Sequence, residues 1–270
     1  LIAYDYENKL KIKTRICFVV TKAGREALVA YNKRLRAQMH ALEVLAEAER
    51  PLSGEELASV QVSAATLRIL CEKGWSERSE QRVLRNSYAN RTELKESLHL
   101  TDEQRQAVEA IGSAITEPHQ ETFLLQGITG SGKTEVYLRA AAQAMEAGKQ
   151  VLLLVPEIAL TAQIVKRFQA WFGDEVAVAH SKLSQNERAD VWYKMRTNSA
   201  KLLIGVRSAV FAPFSDLGLI IIDEEHESSY KQDERPNYHA RTVALKRAQL
   251  SGIPVVLGSA TPDLESFYKA

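Results

Sequence analysis

The segment Gly127-Ile-Thr-Gly-Ser-Gly-Lys-Thr134 restricts this chain more than any other feature. It matches G-x-x-x-x-G-K-[ST], a pattern that chance places in ~270 residues about once in a hundred chains. An apolar run at 122–126 precedes it and a helical pattern at 135–147 follows, the strand–loop–helix context a phosphate-cradling loop needs. Gly127, Gly130 and Gly132 permit the tight turn that aims successive N–H groups inward, and Ile128, Thr129 and Ser131 complete the loop. The helix that follows adds the positive end of its dipole. Lys133 can bridge phosphate oxygens and the Thr134 hydroxyl can ligate magnesium, so the expected ligand is ATP with Mg2+.

Such a loop also needs a carboxylate for the metal and a group that orients water. Asp223-Glu-Glu-His226 stands directly after the apolar run 217–222. A buried strand that ends in acidic residues presents them where α/β sheets bind ligands. Asp223 is the expected metal partner alongside Thr134, and Glu224 the expected base. Lys133, Asp223 and Glu224 are thus the catalytic candidates, with His226 beside them as a nucleotide contact.

From residue 100 onward short apolar strands alternate with amphipathic helices. Strands are expected at 122–126, 150–155, 176–179, 201–206, 217–223 and 254–258, and helices at 135–147, 159–172, 186–197 and 240–250. This predicts an α/β fold, a parallel sheet with helices on both faces. The first third reads differently. A strand is expected at 11–20 and a helix at 33–48, with Leu35, Met39, Leu42, Leu45 and Ala46 along one side. Ser53 and Glu56 form a capping-box pattern, a helix starting at Ser63 stops at Gly74, and Val83, Leu84 and Tyr88 suggest a small hairpin. Three helices and a hairpin are the layout of a winged helix-turn-helix domain. Its third helix would offer Arg68 and Lys73 to DNA, or would only pack against other domains. The expected boundaries are a strand-containing connector at 1–33, the winged helix at 34–92, a linker at 91–98 and the sheet domain at 98–270.

Composition narrows the setting. At 270 residues and 45% apolar content the chain can fill one large core or two unequal ones. No run approaches the roughly 18 apolar residues of a membrane span, and no secretory pattern opens the chain. It begins at Leu1, which suggests a piece of a longer protein. Two cysteines, far apart, fit a reducing cytoplasm and are too few for a zinc cluster. Charge is uneven: residues 1–97 hold 17 basic and 13 acidic side chains, residues 98–270 hold 18 and 21. A basic module joined to a mildly acidic one suggests that the first touches an anionic polymer.

Further segments carry a family resemblance. Leu100-Thr-Asp-Glu-Gln-Arg-Gln-Ala107, Pro156-Glu-Ile-Ala-Leu-Thr161, Gly205-Val-Arg-Ser-Ala-Val-Phe211 and Gly258-Ser-Ala-Thr-Pro262 resemble the motifs of superfamily 2 helicases. Ser228-Ser-Tyr-Lys-Gln232 and Tyr238-His-Ala-Arg241 are similar to the aromatic-rich loop of the bacterial replication-restart helicases. The resemblance implies a RecA-like P-loop sheet as the first of two motor lobes, with Gln104 reading adenine. It implies DNA-backbone contacts from Pro156, Thr161, Arg207 and Ser208, and coupling of nucleotide state to DNA grip through Ser259 and Thr261. In the aromatic loop, Tyr230 and Tyr238 would offer flat faces to unstacked bases, and Lys231 and Arg241 cations to phosphates.

The implied activity is that of an ATP-dependent 3′→5′ DNA helicase acting on forked and single-stranded DNA at stalled replication forks. The implied partners are primosome proteins and single-strand-binding protein, with no membrane. A domain that grips a nascent 3′ end, a second motor lobe and a cysteine-rich module have no counterpart in these residues, so zinc is expected only there. Because arginines of the second lobe complete the ATP site in that family, this chain alone is expected to bind ATP·Mg2+ and hydrolyse it very slowly. The competing readings are another superfamily 2 motor, whether an RNA helicase or a duplex-DNA translocase, and a nucleotide-switched DNA-binding scaffold.

Overall fold

The computed structural model describes residues 14–30, 35–48, 50–82, 99–117, 119–128 and 130–269. The chain divides into two compact units, Leu1–Arg85 and Asn86–Ala270.

In the first unit β1 (Thr14–Val20) is the middle strand of a three-stranded antiparallel sheet, flanked by β2 (Leu52–Ser53) and β3 (Ser76–Arg82). Phe18 and Val20 of β1 turn inward onto helices α1 (Lys22–Val29), α2 (Arg36–Glu47), α3 (Gly54–Ser59) and α4 (Ala64–Glu72), while Cys17, also buried, donates its thiol to Gln81 of β3. The core is the apolar stripe of those helices, with Leu42, Leu57 and Leu70 fully buried. Ser53 and Glu56 form the expected capping box, and Arg50 with Ser53 holds the Glu56 carboxyl down at about 2. Thr21 closes the unit: its N–H donates to Trp75 O (3.0 Å) and its hydroxyl to Gly74 O (2.7 Å).

One expectation is corrected here. The division at residue 33 does not hold, because β1 pairs along its whole length with β3, from Thr14↔Arg82 to Val20↔Ser76. Its partner β3 is a strand that the sequence pattern does not single out. Ser-Glu-Arg-Ser-Glu-Gln-Arg has no apolar residue, so side-chain patterning could not announce it; backbone hydrogen bonding makes the strand. Val83, Leu84, Tyr88 and the 91–98 linker lie outside the described residues.

The second unit begins with α5 (Asp102–Thr116), capped by a Thr101–Gln104 box. Its sheet comprises β4 (Thr122–Gln126), β5 (Gln150–Leu154), β6 (Val176–Ala179), β7 (Leu202–Gly205), β8 (Leu217–Ile222) and β11 (Val255–Ser259). All pairings are parallel, in the order β4-β11-β8-β5-β7-β6. Helices α6 (Lys133–Glu146), α7 (Ala162–Phe172), α8 (Gln185–Arg196), α9 (Ala240–Ser251) and α10 (Leu264–Lys269) complete it. This is the parallel α/β sheet that the strand–helix alternation predicts, in the RecA-like layout that the resemblance implies.

Alternate residues of the strands feed two separate cores, as period-two geometry demands. Val151, Leu153, Ile204 and Ile221 join α6 and α7 on one face, whereas Leu152, Leu154, Leu203 and Ile220 join α9 on the other. At the amino edge the buried Gln150 amide donates to Met195 O and Ala200 O (2.8 Å each) and accepts from Ser215 and Asp216 N–H (2.9 and 3.0 Å). A fully satisfied buried amide of this kind pins two loops and leaves the opposite edge to carry chemistry. Between β8 and α9, where an aromatic-rich loop is expected, a 3-10 turn (Ser228–Tyr230) leads into a two-stranded ribbon, β9 (Lys231–Gln232) and β10 (Tyr238–His239).

Candidate functional site

Strand order decides which motifs meet. At the carboxyl edge β4, β11 and β8 lie side by side, so Gly127, Ser259 and Asp223 emerge as neighbours. The Gly127 N–H donates to Ser259 O (3.1 Å) and the Asp223 N–H to Leu154 O (2.9 Å). Gly130 and Gly132 take positive φ values of +84° and +87°, where a side chain would be strained, and Gly132 opens α6. From the first turn of that helix, Lys133 folds back over the loop. Its ammonium donates to Gly127 O at 2.7 Å and lies 3.4 Å from Glu224 Oε1, with the side chain only 9% exposed. Thr134 is half-buried beside it, Ser131 is exposed, Ile128 is largely exposed, and Thr129 lies outside the described residues.

Gln104 sits against the loop. Its Nε2 donates to Ser131 O (2.9 Å), and its Oε1 accepts from Thr101 N–H (3.0 Å). Both ends of the amide are therefore engaged inside the protein, the first with the loop itself.

Asp223 is clamped by two tyrosines. The Tyr137 hydroxyl donates to its Oδ1 (2.9 Å), and the Tyr230 hydroxyl donates to its backbone carbonyl (2.7 Å). Burial raises the Asp223 carboxyl above its ordinary range and nearby Glu224 adds to this, against the Tyr137 hydrogen bond and the Lys133 charge. Burial, then the Asp223 charge, pushes the Tyr137 hydroxyl well up, so it remains a donor. Glu224 has φ +45°, the left-handed region that costs a non-glycine residue about 1–2 kcal/mol. Lys133 and the Ala260 N–H (3.4 Å) hold its carboxylate there.

The next two residues reach toward β11 and beyond. His226 Nδ1 is hydrogen-bonded to Ser259 Oγ (2.7 Å), and its Nε2 lies 3.4 Å from Thr261 Oγ1. Ser259 Oγ also accepts from Thr261 N–H (3.1 Å), so the expected coupling residues and the acidic motif form one network. The Glu225 carboxylate is fully buried and accepts from Asp263 N–H (2.8 Å), Ser266 Oγ (2.9 Å) and Arg241.

The expected DNA contacts fare unevenly. Ser208, Thr161 and Lys231 are exposed, with the Thr161 hydroxyl capping α7 and Lys231 paired with Asp233 (2.9 Å). Arg207 donates to the carbonyls of Ser229 (3.2 Å) and Lys231, tying its own turn to the ribbon. Tyr238 is half-buried, edge-on to Phe211 at 4.9 Å. In the first unit Arg68 is exposed and paired with Glu72 (2.9 Å), and Lys73 donates to Gln38 (2.8 Å) above the Trp75 ring.

Three expectations are overturned. Tyr230 is 1% exposed and packs in the second core, so it has no free face for a base. Arg241 is only 12% exposed and spends its guanidinium on Glu225, Asp263 and Ser266, so it is no phosphate cation. Pro156 is buried, its carbonyl accepting from Ala159 and Leu160 N–H. In each case packing within the sheet domain outweighs what residue type suggests.

Tyr137, Glu225, Asp263 and Ser266 escape the sequence reading. Tyr137 is simply a core-facing helical residue in the pattern, and only its i+4 spacing from Lys133 hints at the site. Glu225 lies inside the acidic motif, where nothing separates it from its neighbours until strand order turns it inward.

Residues 101–269 match the family model of DEAD/DEAH box helicases. The chain is 47% identical over 246 residues to the replication restart protein PriA of Bacillus subtilis, covering 91% of this chain and 31% of that protein. It is 40% identical over 252 residues to the Haemophilus influenzae protein of the same name, covering 92% and 34%. With the Chlamydia pneumoniae protein of that name identity is 52% over 172 residues, covering 63% and 23%. The chain thus spans about a third or less of the length of these relatives.

Proposed function

The chain belongs to the DEAD/DEAH box helicase family, and from that premise we propose that it is the ATP-binding lobe and winged-helix module of a DNA helicase that remodels branched DNA at stalled forks. The name shared by its relatives, replication restart protein, supports the role in restarting replication. Movement 3′→5′, primosome proteins and single-strand-binding protein as partners, and a cytoplasmic setting belong to the same proposal. One observation carries it: Lys133 faces Glu224 at 3.4 Å, at the sheet edge where the glycine loop and Asp223 converge.

In this reading the turns at Gly130 and Gly132 aim backbone N–H groups at a polyphosphate, and the first turn of α6 adds its dipole. The Lys133 ammonium is the cation for the β- and γ-phosphates. Glu224 orients the attacking water and takes its proton. The Thr134 hydroxyl and Asp223 carboxylate are hard oxygen donors, which suit Mg2+. When bound there, Mg2+ would neutralise phosphate charge. His226 and Glu225 pass changes at the acidic motif to Ser259, Thr261 and α10, while Arg207, Ser208, Thr161, Lys231 and Tyr238 face DNA. Arg68 and Lys73 would add duplex contacts from the winged helix.

ATP hydrolysis by a protein of the relatives' full length that carries this sequence tests the proposal. Three DNAs are compared at one salt concentration, since phosphate contacts make affinity ionic-strength dependent: a fork with a 3′ end at the junction, the same fork without it, and plain duplex. Strong fork stimulation, lost in Lys133→Ala, is the expected result. Equal stimulation by duplex assigns a general translocase instead, and none by any DNA leaves a nucleotide-switched scaffold. The 270-residue chain alone should turn over very slowly, because an arginine supplied from outside contributes about 10³–10⁵ in rate.

A further inference from the structure

Tyr137 carries a buried hydroxyl that none of the roles above uses. It lies on α6 one turn beyond Lys133, 1% exposed, with its ring in the first core. A phenylalanine would fill the same space. The hydroxyl must be taken out of water, which is worthwhile only with a partner, and that partner is Asp223 Oδ1 at 2.9 Å. Room for it is reserved in β11, where a methyl group placed on Gly258 would overlap the hydroxyl. Asp223 is then held at three points: its N–H by Leu154 O, its carbonyl by Tyr230, and its carboxylate by Tyr137. One helix thereby presents Lys133 and Thr134 and also grips the carboxylate that β8 supplies, so a single side chain registers the two halves of the site.

The geometry points to Tyr137 as a positioning residue whose hydroxyl sets the Asp223 carboxylate in the orientation that receives Mg2+ with the nucleotide. The inference rests on the role proposed for Asp223. Partners that orient a metal ligand typically contribute 10–100-fold in metal affinity or activity.

Binding of a fluorescent ATP analogue to the 270-residue chain, titrated with Mg2+ and separately in EDTA, tests it. In Tyr137→Phe the Mg2+ concentration for half-maximal gain in binding should rise about 10–100-fold, with binding in EDTA unchanged. Gly258→Ala, which displaces the hydroxyl sterically, should act in the same direction. In an Asp223→Asn background Tyr137→Phe should add nothing. An unchanged Mg2+ requirement in Tyr137→Phe overturns the inference. Equal loss in EDTA and in Mg2+ also overturns it, as general damage to the loop, and so does failure of the Phe variant to fold. If the unmodified chain shows no Mg2+-dependent binding at all, the reading of the site itself fails instead.

Discussion

The glycine loop and the segment 227–241 lie in the same unit, yet they use charged and aromatic side chains in opposite ways. At the loop, Lys133 is held by a carbonyl and one carboxylate on a backbone kept open by left-handed glycines, and Glu224 sits in a costly conformation. Those groups are poised and only partly satisfied, which is how sites store the capacity to bind. In the segment, Arg241 meets a fully buried carboxylate, the Ser229 and Lys231 carbonyls accept from Arg207 of a neighbouring turn, and Tyr230 disappears into the core with its hydroxyl on Asp223 O. Its cations and aromatic rings build the connection between acidic motif, β11 and α10; of its candidates, Lys231 alone is well exposed. The comparison teaches that a poised group needs a backbone that keeps partners away, whereas a connecting segment of ordinary residues consumes its polar groups in satisfying itself.

Substitutions at four positions can break or sharpen that contrast. Lys133→Ala should reduce ATP turnover in the longer protein by about 100–1000-fold, as loss of one pre-organised charge does, with little change in melting temperature; unaltered turnover would remove the loop from the chemistry. Arg241→Ala should cost about 3–5 kcal/mol of stability in urea unfolding, because it strands the Glu225 carboxylate in the interior. Were Arg241 a DNA cation, the loss would instead appear in the salt dependence of DNA binding.

Tyr230→Phe should cost about 1 kcal/mol of stability through the lost hydrogen bond to Asp223 O and leave affinity for single-stranded DNA unchanged. A base-stacking tyrosine keeps its ring in that variant but would lose about 1–3 kcal/mol of affinity as Tyr230→Ala with no loss of stability, so the pair of variants separates the roles. The smallest effect belongs to Lys231→Ala. Stability should stay within about 0.5 kcal/mol, while the slope of DNA affinity against salt falls by about one phosphate contact. A flat salt response would leave the segment wholly structural.

The glycine loop was legible because its chemistry is local: three glycines, a lysine and a threonine at fixed spacing allow few other uses. The strands and helices of the second unit were equally legible, since apolar runs such as 217–222 report burial on both faces wherever the strand ends up. Tyr230 and Arg241 misled because a surface loop and a buried connection can share one composition. The polar strand Ser76–Arg82 was invisible for a related reason: its partner, Thr14–Val20, is far away in the chain and pairs through the backbone.

By itself, then, the sequence determined the P-loop, the acidic motif, the alternation that makes a parallel sheet and the helical stripes of the first unit, all of them properties of neighbouring residues. Only the tertiary structure decided that β11 would lie between β4 and β8, and this brings Ser259 to Gly127 and His226. The same arrangement turns Glu225 inward to Arg241 and sets Tyr137 against Asp223. The physical reason is that strand order and burial are settled by the whole sheet at once, so the surroundings of a side chain far along the chain are not written in the residues beside it.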